Sequence, residues 1–165
     1  GKGSALGTTT SMAFDANGII TKPLQPAFSA YLSGNQNNFA LNTNVPVQFD
    51  TEYFDQNADF NTSNYTFTAP VTGKYQINIA LRFNNIDTAA GFYQTILTTS
   101  NRGYALFTID PNYSSDVAYL HGNASILTDM DASDTALVQV YQNNGTQQTD
   151  RSSGTDCIFS GFLAC

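Results

Sequence analysis

Apolar and polar residues alternate with a period of two along most of this 165-residue chain. The clearest segment is residues 74–84, whose odd-numbered positions share one apolar face: Tyr75, Ile77, Ile79, Leu81 and Phe83. Because successive side chains of a strand point to opposite faces, the pattern predicts a strand with one buried face. Residues 134–145 repeat it with Ala136, Val138 and Val140 and end at an Asn-Asn-Gly turn.

Other extended segments share this alternation and are separated by Gly, Asn, Asp and Pro clusters: 26–32, 45–50, 64–70, 92–100, 104–109, 117–130 and 157–164. No segment shows the apolar spacing of a helix over a helical length. About nine or ten strands, with turn signals every ~8–15 residues, predict an all-β antiparallel sandwich or jelly roll. Before them, residues 11–23 predict a small hairpin or an extended lead-in around Asn17 and Gly18.

The charge balance excludes several classes of partner. The net charge is −7, and only 12% of residues are charged. A phosphate backbone or an anionic membrane surface repels such a chain, so no nucleic acid partner is expected. No window approaches the ~18 apolar residues of a membrane span, so no membrane insertion is expected either. Neutral polar residues in this abundance are typical of extracellular and virion β proteins.

The sequence offers little for catalysis, and we predict that the protein is not an enzyme. His121 is the only histidine, and no nucleophile or phosphate-binding motif accompanies it. The sharpest acidic cluster, "TDMDASD", contains Asp129, Asp131 and Asp134. It is not an EF-hand, because the sixth position is Asp134 rather than Gly and the twelfth is Val140 rather than Glu.

A solvated turn is the favoured interpretation of this cluster. Its three carboxylates are nevertheless the candidate ligands of a calcium site, and no other cofactor is expected. Hydrolysis of a glycan by the pair Asp129 and Asp131 is a minor alternative. Cys157 and Cys165 would lie about 27 Å apart on one extended strand, too far for a disulfide. Buried, inert thiols are favoured, and pairing of Cys165 between chains is the alternative.

The aromatic-rich segment 49–79 has a definite spacing at Phe49, Asp55, Phe60, Phe67, Gly73 and Tyr75. This spacing resembles the signature of the C1q family, whose globular heads share a jelly roll with tumour necrosis factor. Ile77 and Ile79 depart from it, since the family has aromatic residues there. The turn at Ser133 and Asp134 resembles the family's Gly-Asp turn, and residues 156–164 resemble its closing strand.

The resemblance covers residues 26–165 and leaves residues 1–25 as an N-terminal lead-in. It implies an antiparallel ten-stranded jelly-roll sandwich. The aromatic residues of the matching spacing, which we call the spaced rings, are expected to form its core: Phe49, Phe60, Phe67 and Tyr75. Gly73 is expected at a tight turn with a positive φ. The family also implies a homotrimer that binds partners through exposed loops. Aromatic residues outside the core are the candidates for the threefold axis: Tyr65, Tyr119, Tyr141 and Phe162.

The chain contains no collagen Gly-X-Y repeat, and its segment "FDANGIITKPLQPAF" resembles lead-ins of C1q-like tips in phage tail fibres. The favoured hypothesis is a trimeric head domain of a virion structural protein. It would be a tail-fibre or spike tip binding a host-surface glycan or protein receptor, or a capsid decoration protein, and would contact other virion proteins. The alternative is a secreted cellular module that recognises carbohydrate or protein. Four polar loops are the candidates for ligand contact: 33–44, 110–116, 128–134 and 142–154.

Overall fold

The computed structural model describes residues 12–165. Its strands follow one another in this order: β1 (Ala13–Phe14), β2 (Ile20–Thr21), β3 (Ala27–Leu32), β4 (Val45–Pro46), β5 (Thr51–Asp55), β6 (Phe60–Asn61), β7 (Thr66–Thr68), β8 (Gly73–Ile86), β9 (Phe92–Thr99), β10 (Gly103–Ile109), β11 (Val117–Met130), β12 (Thr135–Asn143), β13 (Asp150–Arg151) and β14 (Gly154–Leu163). Over residues 12–165, no helix is long and apolar enough to cross a membrane.

Two antiparallel sheets form the body of the protein. Sheet I has the order β10-β9-β12-β7-β6, and sheet II has the order β11-β8-β14-β3-β5. Short strands extend them, β4 beside β12 in sheet I and β13 beside β8 in sheet II. The ten strands in these two strand orders form an antiparallel jelly-roll sandwich, which confirms the predicted fold class.

The core lies between the inner faces of the two sheets. The odd-numbered residues from Tyr75 to Phe83 are at most 3% exposed, as their alternation predicts. Phe28 of β3 stacks on Phe67 of β7, with ring centroids 4.6 Å apart, and on Phe60 at 5.1 Å. It meets the edge of Phe159 at 5.0 Å. The spaced rings of the sequence therefore stabilise the fold and do not form a binding surface.

The described part of the lead-in, from residue 12, contains a hairpin of β1 and β2 that forms its own two-stranded sheet. One carboxylate oxygen of Asp15 accepts hydrogen bonds from the backbone N–H groups of Asn17 (2.9 Å) and Ile19 (2.7 Å). Gly18 provides the positive φ of the turn, 82°. Residues 1–11 of the predicted lead-in lie outside the described residues.

Gly73 is needed for a different reason from the one that the sequence predicts. It is not one of the glycines with a positive φ, so the expectation of a left-handed turn was wrong. A Cβ atom at this position would lie 2.6 Å from Cδ1 of Leu163 and 2.7 Å from the carbonyl oxygen of Cys165. The C-terminal end of the chain packs directly over Gly73, and a side chain there would displace it.

Gly122 of β11 faces the ring of Phe107, which in turn meets Phe83 edge-on at 6.5 Å. A Cβ atom at Gly122 would overlap this ring. We expect Gly122→Ala to lower the free energy of unfolding by about 1–3 kcal/mol, because the ring must leave its packed position. Urea denaturation of the purified protein measures the change.

Gly103→Ala is the matched control for Gly122→Ala. Gly103 also lies in a strand, but its nearest neighbour to an added Cβ is Ile96 at 3.9 Å, an ordinary contact. Adding Phe107→Leu to Gly122→Ala should restore part of the lost stability by making room. Equal losses for the two alanine variants would contradict the overlap at Gly122.

Candidate functional site

Hydrogen bonds within the predicted acidic turn and from neighbouring segments hold it in place. Asp134 accepts from the side-chain amide of Asn101 and from the backbone N–H of Asp131, both at 2.8 Å. Asp129 forms an exposed ion pair with Arg102 at 3.0 Å. Oδ1 of Asp131 accepts a 3.4 Å hydrogen bond from the hydroxyl of Thr72. The carboxylates thus stabilise the turn between β11 and β12.

Within residues 12–165, no three His, Cys, Asp or Glu side chains are grouped closely enough to hold a metal ion. The calcium site at Asp129, Asp131 and Asp134 therefore stays a prediction. The turn lies at the same end of the sandwich as the C-terminus, because Met130 pairs with Gly73 and Lys74 donates its N–H to the carbonyl of Cys165 at 2.6 Å. We call this the terminal end.

The other three predicted loops meet at the opposite end of the sandwich, which we call the distal end. There, Val117 at the start of β11 pairs with Ile86 at the end of β8. The loops surround a groove of about 670 Å³, whose polar lining residues are Asn37, Asn38, Asn85, Asp116, Gln148 and Asp150. Val117 and Ala118 complete its lining. We refer to this feature as the distal groove.

Two carboxylates fix the walls of the distal groove. Asp150 accepts hydrogen bonds from the N–H of Asn38 (2.8 Å) and from the side-chain amide of Asn85 (3.0 Å). Asp116 joins two further segments, through the N–H of Thr88 at 3.0 Å and the side-chain amide of Gln148 at 2.8 Å. The hydrogen bond from Thr88 and that from Gln148 lower the pKa of Asp116. Its carboxylate is therefore ionised at neutral pH.

Arg151 follows Asp150 in sequence but points into the protein. Its side chain is fully buried, and its guanidinium lies 4.0 Å from the centre of the Phe39 ring. None of its three side-chain nitrogens has a hydrogen-bond partner in the part of the chain that is described. No sequence pattern predicts that Arg151 is buried, because "TDRSSG" is polar throughout. Its burial lowers the pKa of Arg151 to about 9.

The outward face of sheet II combines apolar, polar and charged groups. Arg82 forms an ion pair with Asp156 at 2.6 Å, donates to Ser152 at 2.6 Å, and lies 4.8 Å from the centre of the Tyr119 ring. His121 is exposed opposite Arg82 in the strand register. Toward the terminal end, the same face exposes Leu127 and Phe162, which are 54% and 46% accessible.

The four rings predicted to lie outside the core do not share one surface. Tyr119 and Phe162 belong to sheet II. Tyr141 lies in β12 of sheet I and stacks on Phe92 with centroids 5.7 Å apart, while Tyr65 lies in the turn between β6 and β7. At most two of the four can therefore pack on the outward face of sheet II.

Both cysteines are free thiols. Cys157 is buried in β14, where its Sγ accepts a 3.3 Å hydrogen bond from the N–H of Arg82. Burial raises the pKa of the Cys157 thiol, which keeps it protonated and unreactive at neutral pH. Cys165 is exposed at the terminal end.

Comparison with known proteins supports the resemblance seen in the sequence. A search of curated proteins finds no match. The solved structure of the globular domain of zebrafish complement 1qA protein is similar, with a TM-score of 0.61 and 20% sequence identity. The match covers 86% of this chain and 98% of that one, and at this identity it shows the fold alone. The family model of the C1q domain matches residues 27–164, so the chain belongs to the C1q domain family.

Proposed function

We propose that the chain is the trimeric head domain of a virion structural protein, a tail-fibre or spike tip that binds the host surface. A capsid decoration protein is a close variant of this function. C1q domains typically form trimers, bind ligands and work outside cells, without enzymatic activity. We extend these family properties to a virion parent protein and to a ligand-binding surface at the distal end.

The distal end is the proposed ligand-binding surface of the head. Three polar loops that are far apart in the sequence converge on the distal groove, at the opposite end of β8 from the C-terminus. With 14 residues at ~3.3 Å each, β8 separates the two ends by roughly 40 Å. A head joined to its parent near the terminal end would present the distal groove outward. The polar, weakly charged composition suits such an exposed role.

The outward face of sheet II is the proposed trimer interface. Leu127 of β11 and Phe162 of β14 leave large apolar side chains exposed on this face. Such surface is stabilised when a second protein surface covers it. Between them, Gln76 donates to Ser125 at 2.7 Å and Ser125 donates to Asn78 at 2.9 Å. These hydrogen bonds satisfy polar groups that the interface would bury.

We expect light scattering to give a mass three times that of the 17.8-kDa chain. Leu127→Arg combined with Phe162→Arg should reduce it to the mass of one chain, because buried unpaired charges are strongly unfavourable. The matched control is Tyr113→Arg, a substitution of an exposed ring in the loop before β11, which should leave the trimer intact. A single-chain mass for the unaltered protein would contradict the trimer.

The virion assignment has its own test, the identity of the neighbouring genes. Tail or capsid genes beside the coding gene are the expected result. A parent gene with a secretion signal and a collagen or coiled-coil stalk would instead favour a secreted recognition module. Binding of the labelled trimer to a panel of bacterial and eukaryotic cells then tests attachment directly.

A further inference from the structure

The unused hydrogen-bonding groups of the distal groove define the ligand that it can accept. We propose that this groove binds an uncharged saccharide, through its side-chain amides and against the small apolar surface of Val117 and Ala118. The inference rests on the proposed recognition function and names its ligand class. The volume of the distal groove, about 670 Å³, lies within the range of ligand-binding clefts, ~300–1,000 Å³.

The amides supply both donors and acceptors. The side chains of Asn37 and Asn38 are exposed, and neither has a side-chain hydrogen bond to the described residues. Asn85 uses its amide nitrogen on Asp150, and Gln148 uses its nitrogen on Asp116, so both keep a carbonyl oxygen. A sugar hydroxyl both donates and accepts, and a row of amides matches this property.

The charge of the groove selects against anionic ligands. Asp116 and Asp150 line it, no Lys or Arg among residues 12–165 does, and the whole chain carries a net charge of −7. The nearest cation in sequence, Arg151, is fully buried and cannot reach a ligand. Sialylated or sulfated sugars, phosphates and nucleic acids would meet repulsion without a compensating cation. An uncharged, hydroxyl-rich ligand avoids this cost.

The groove is also ordered before a ligand arrives. Asp150 links the loop before β4 to the end of β8, and Asp116 links the β8–β9 loop to the loop before β13. Because these loops are already joined, little conformational entropy remains to be lost on binding. In the proposed trimer, three such grooves at the same end would add avidity to a weak single-site affinity.

The test is binding of the purified protein to an array of neutral, sialylated and sulfated oligosaccharides. We expect binding to neutral glycans only. Ala118→Trp should reduce it at least tenfold, because the indole fills the groove from an exposed strand position. Asn37→Ala should weaken binding about fivefold, the effect of one lost hydrogen bond of ~1 kcal/mol.

Asn64→Ala is the matched control, since Asn64 is an exposed amide in the β6–β7 turn, outside the groove. It should bind as the unaltered protein does. Light scattering and urea denaturation of every variant separate loss of binding from loss of the trimer or the fold.

Three outcomes would overturn the saccharide inference: binding to anionic glycans alone, no glycan binding, or neutral-glycan binding that persists in Ala118→Trp. Cell binding, measured in parallel, distinguishes failure of the saccharide inference from failure of the proposed attachment function. If protease treatment of the cells abolishes attachment and no glycan on the array is bound, the recognition function is retained and its saccharide ligand is rejected. Absence of both glycan binding and cell binding would reject attachment itself.

Discussion

Phe67→Ala is expected to lower the free energy of unfolding by about 3–5 kcal/mol, because it removes a ring from the centre of the core. Phe67 is 1% exposed and stacks on Phe28 at 4.6 Å. It also meets Tyr75 at 5.4 Å, and the hydroxyl of Tyr75 donates to the carbonyl of Val71 at 2.7 Å. The vacated space is enclosed on several sides, so collapse around it would be limited.

Urea denaturation followed by circular dichroism measures this loss. Tyr113→Ala is the matched control, an aromatic side chain that is 44% exposed, and it should change stability by less than ~0.5 kcal/mol. A Phe67→Ala variant as stable as this control would show that the inner faces of the two sheets are not packed as described.

Arg151→Met is expected to act in the opposite direction and to raise the free energy of unfolding by about 1–4 kcal/mol. The guanidinium is fully buried, and within the described chain its nitrogens have no hydrogen-bond partner. Contact with the Phe39 ring at 4.0 Å offsets only part of the cost of removing the charge from water. Methionine replaces the unbranched part of the arginine side chain as far as Nε and carries no charge, and its flexible apolar chain can pack beside Phe39.

The pH dependence follows from the pKa of Arg151, which burial lowers to about 9 in the folded protein, well below its ordinary value in the unfolded chain. Between these values the unfolded chain binds more protons, so stability of the unaltered protein rises with pH relative to Arg151→Met. The gain in free energy of unfolding from Arg151→Met is therefore greatest below pH 9 and decreases above it. Comparing urea denaturation of the two proteins at about pH 8 and 10.5 measures this change.

Arg102→Met is the control, because Arg102 is half-exposed and its ion pair with Asp129 is at the surface. It should change stability by less than ~1 kcal/mol at either pH. A large loss of stability in Arg151→Met would contradict the inference that the buried charge of Arg151 destabilises the fold.

Edge strands were the least predictable part of the fold. Residues 45–50 alternate in sequence, yet only Val45–Pro46 pairs as a strand, although Val47 and Phe49 are fully buried. β5 was not predicted, because Tyr53 and Phe54 are adjacent rings that are both about half exposed. An edge strand with no buried face has no alternation to reveal it, and its pairing with β3 depends on the neighbouring strand.

The candidate site was predicted only in pieces. The polar loops were recognised, but residues 128–134 lie at the terminal end, while the other three loops meet at the distal groove. Asn85 was missed, since it stands at the end of a clear strand and gives no loop signal. Its φ of 54° turns the chain there and directs its amide to Asp150.

The resemblance of the aromatic spacing to the C1q family assigned the aromatic residues of segment 49–79 that match it to the core, and local alternation by itself determined the long strands and their buried faces. This was possible because a strand's period of two is a property of neighbouring residues. Only the tertiary structure decided which loops share an end, which exposed rings share a face, and that Arg151 is buried. These depend on strand order, which brings together residues as distant as Asn38 and Asp150, and no local pattern encodes such a contact.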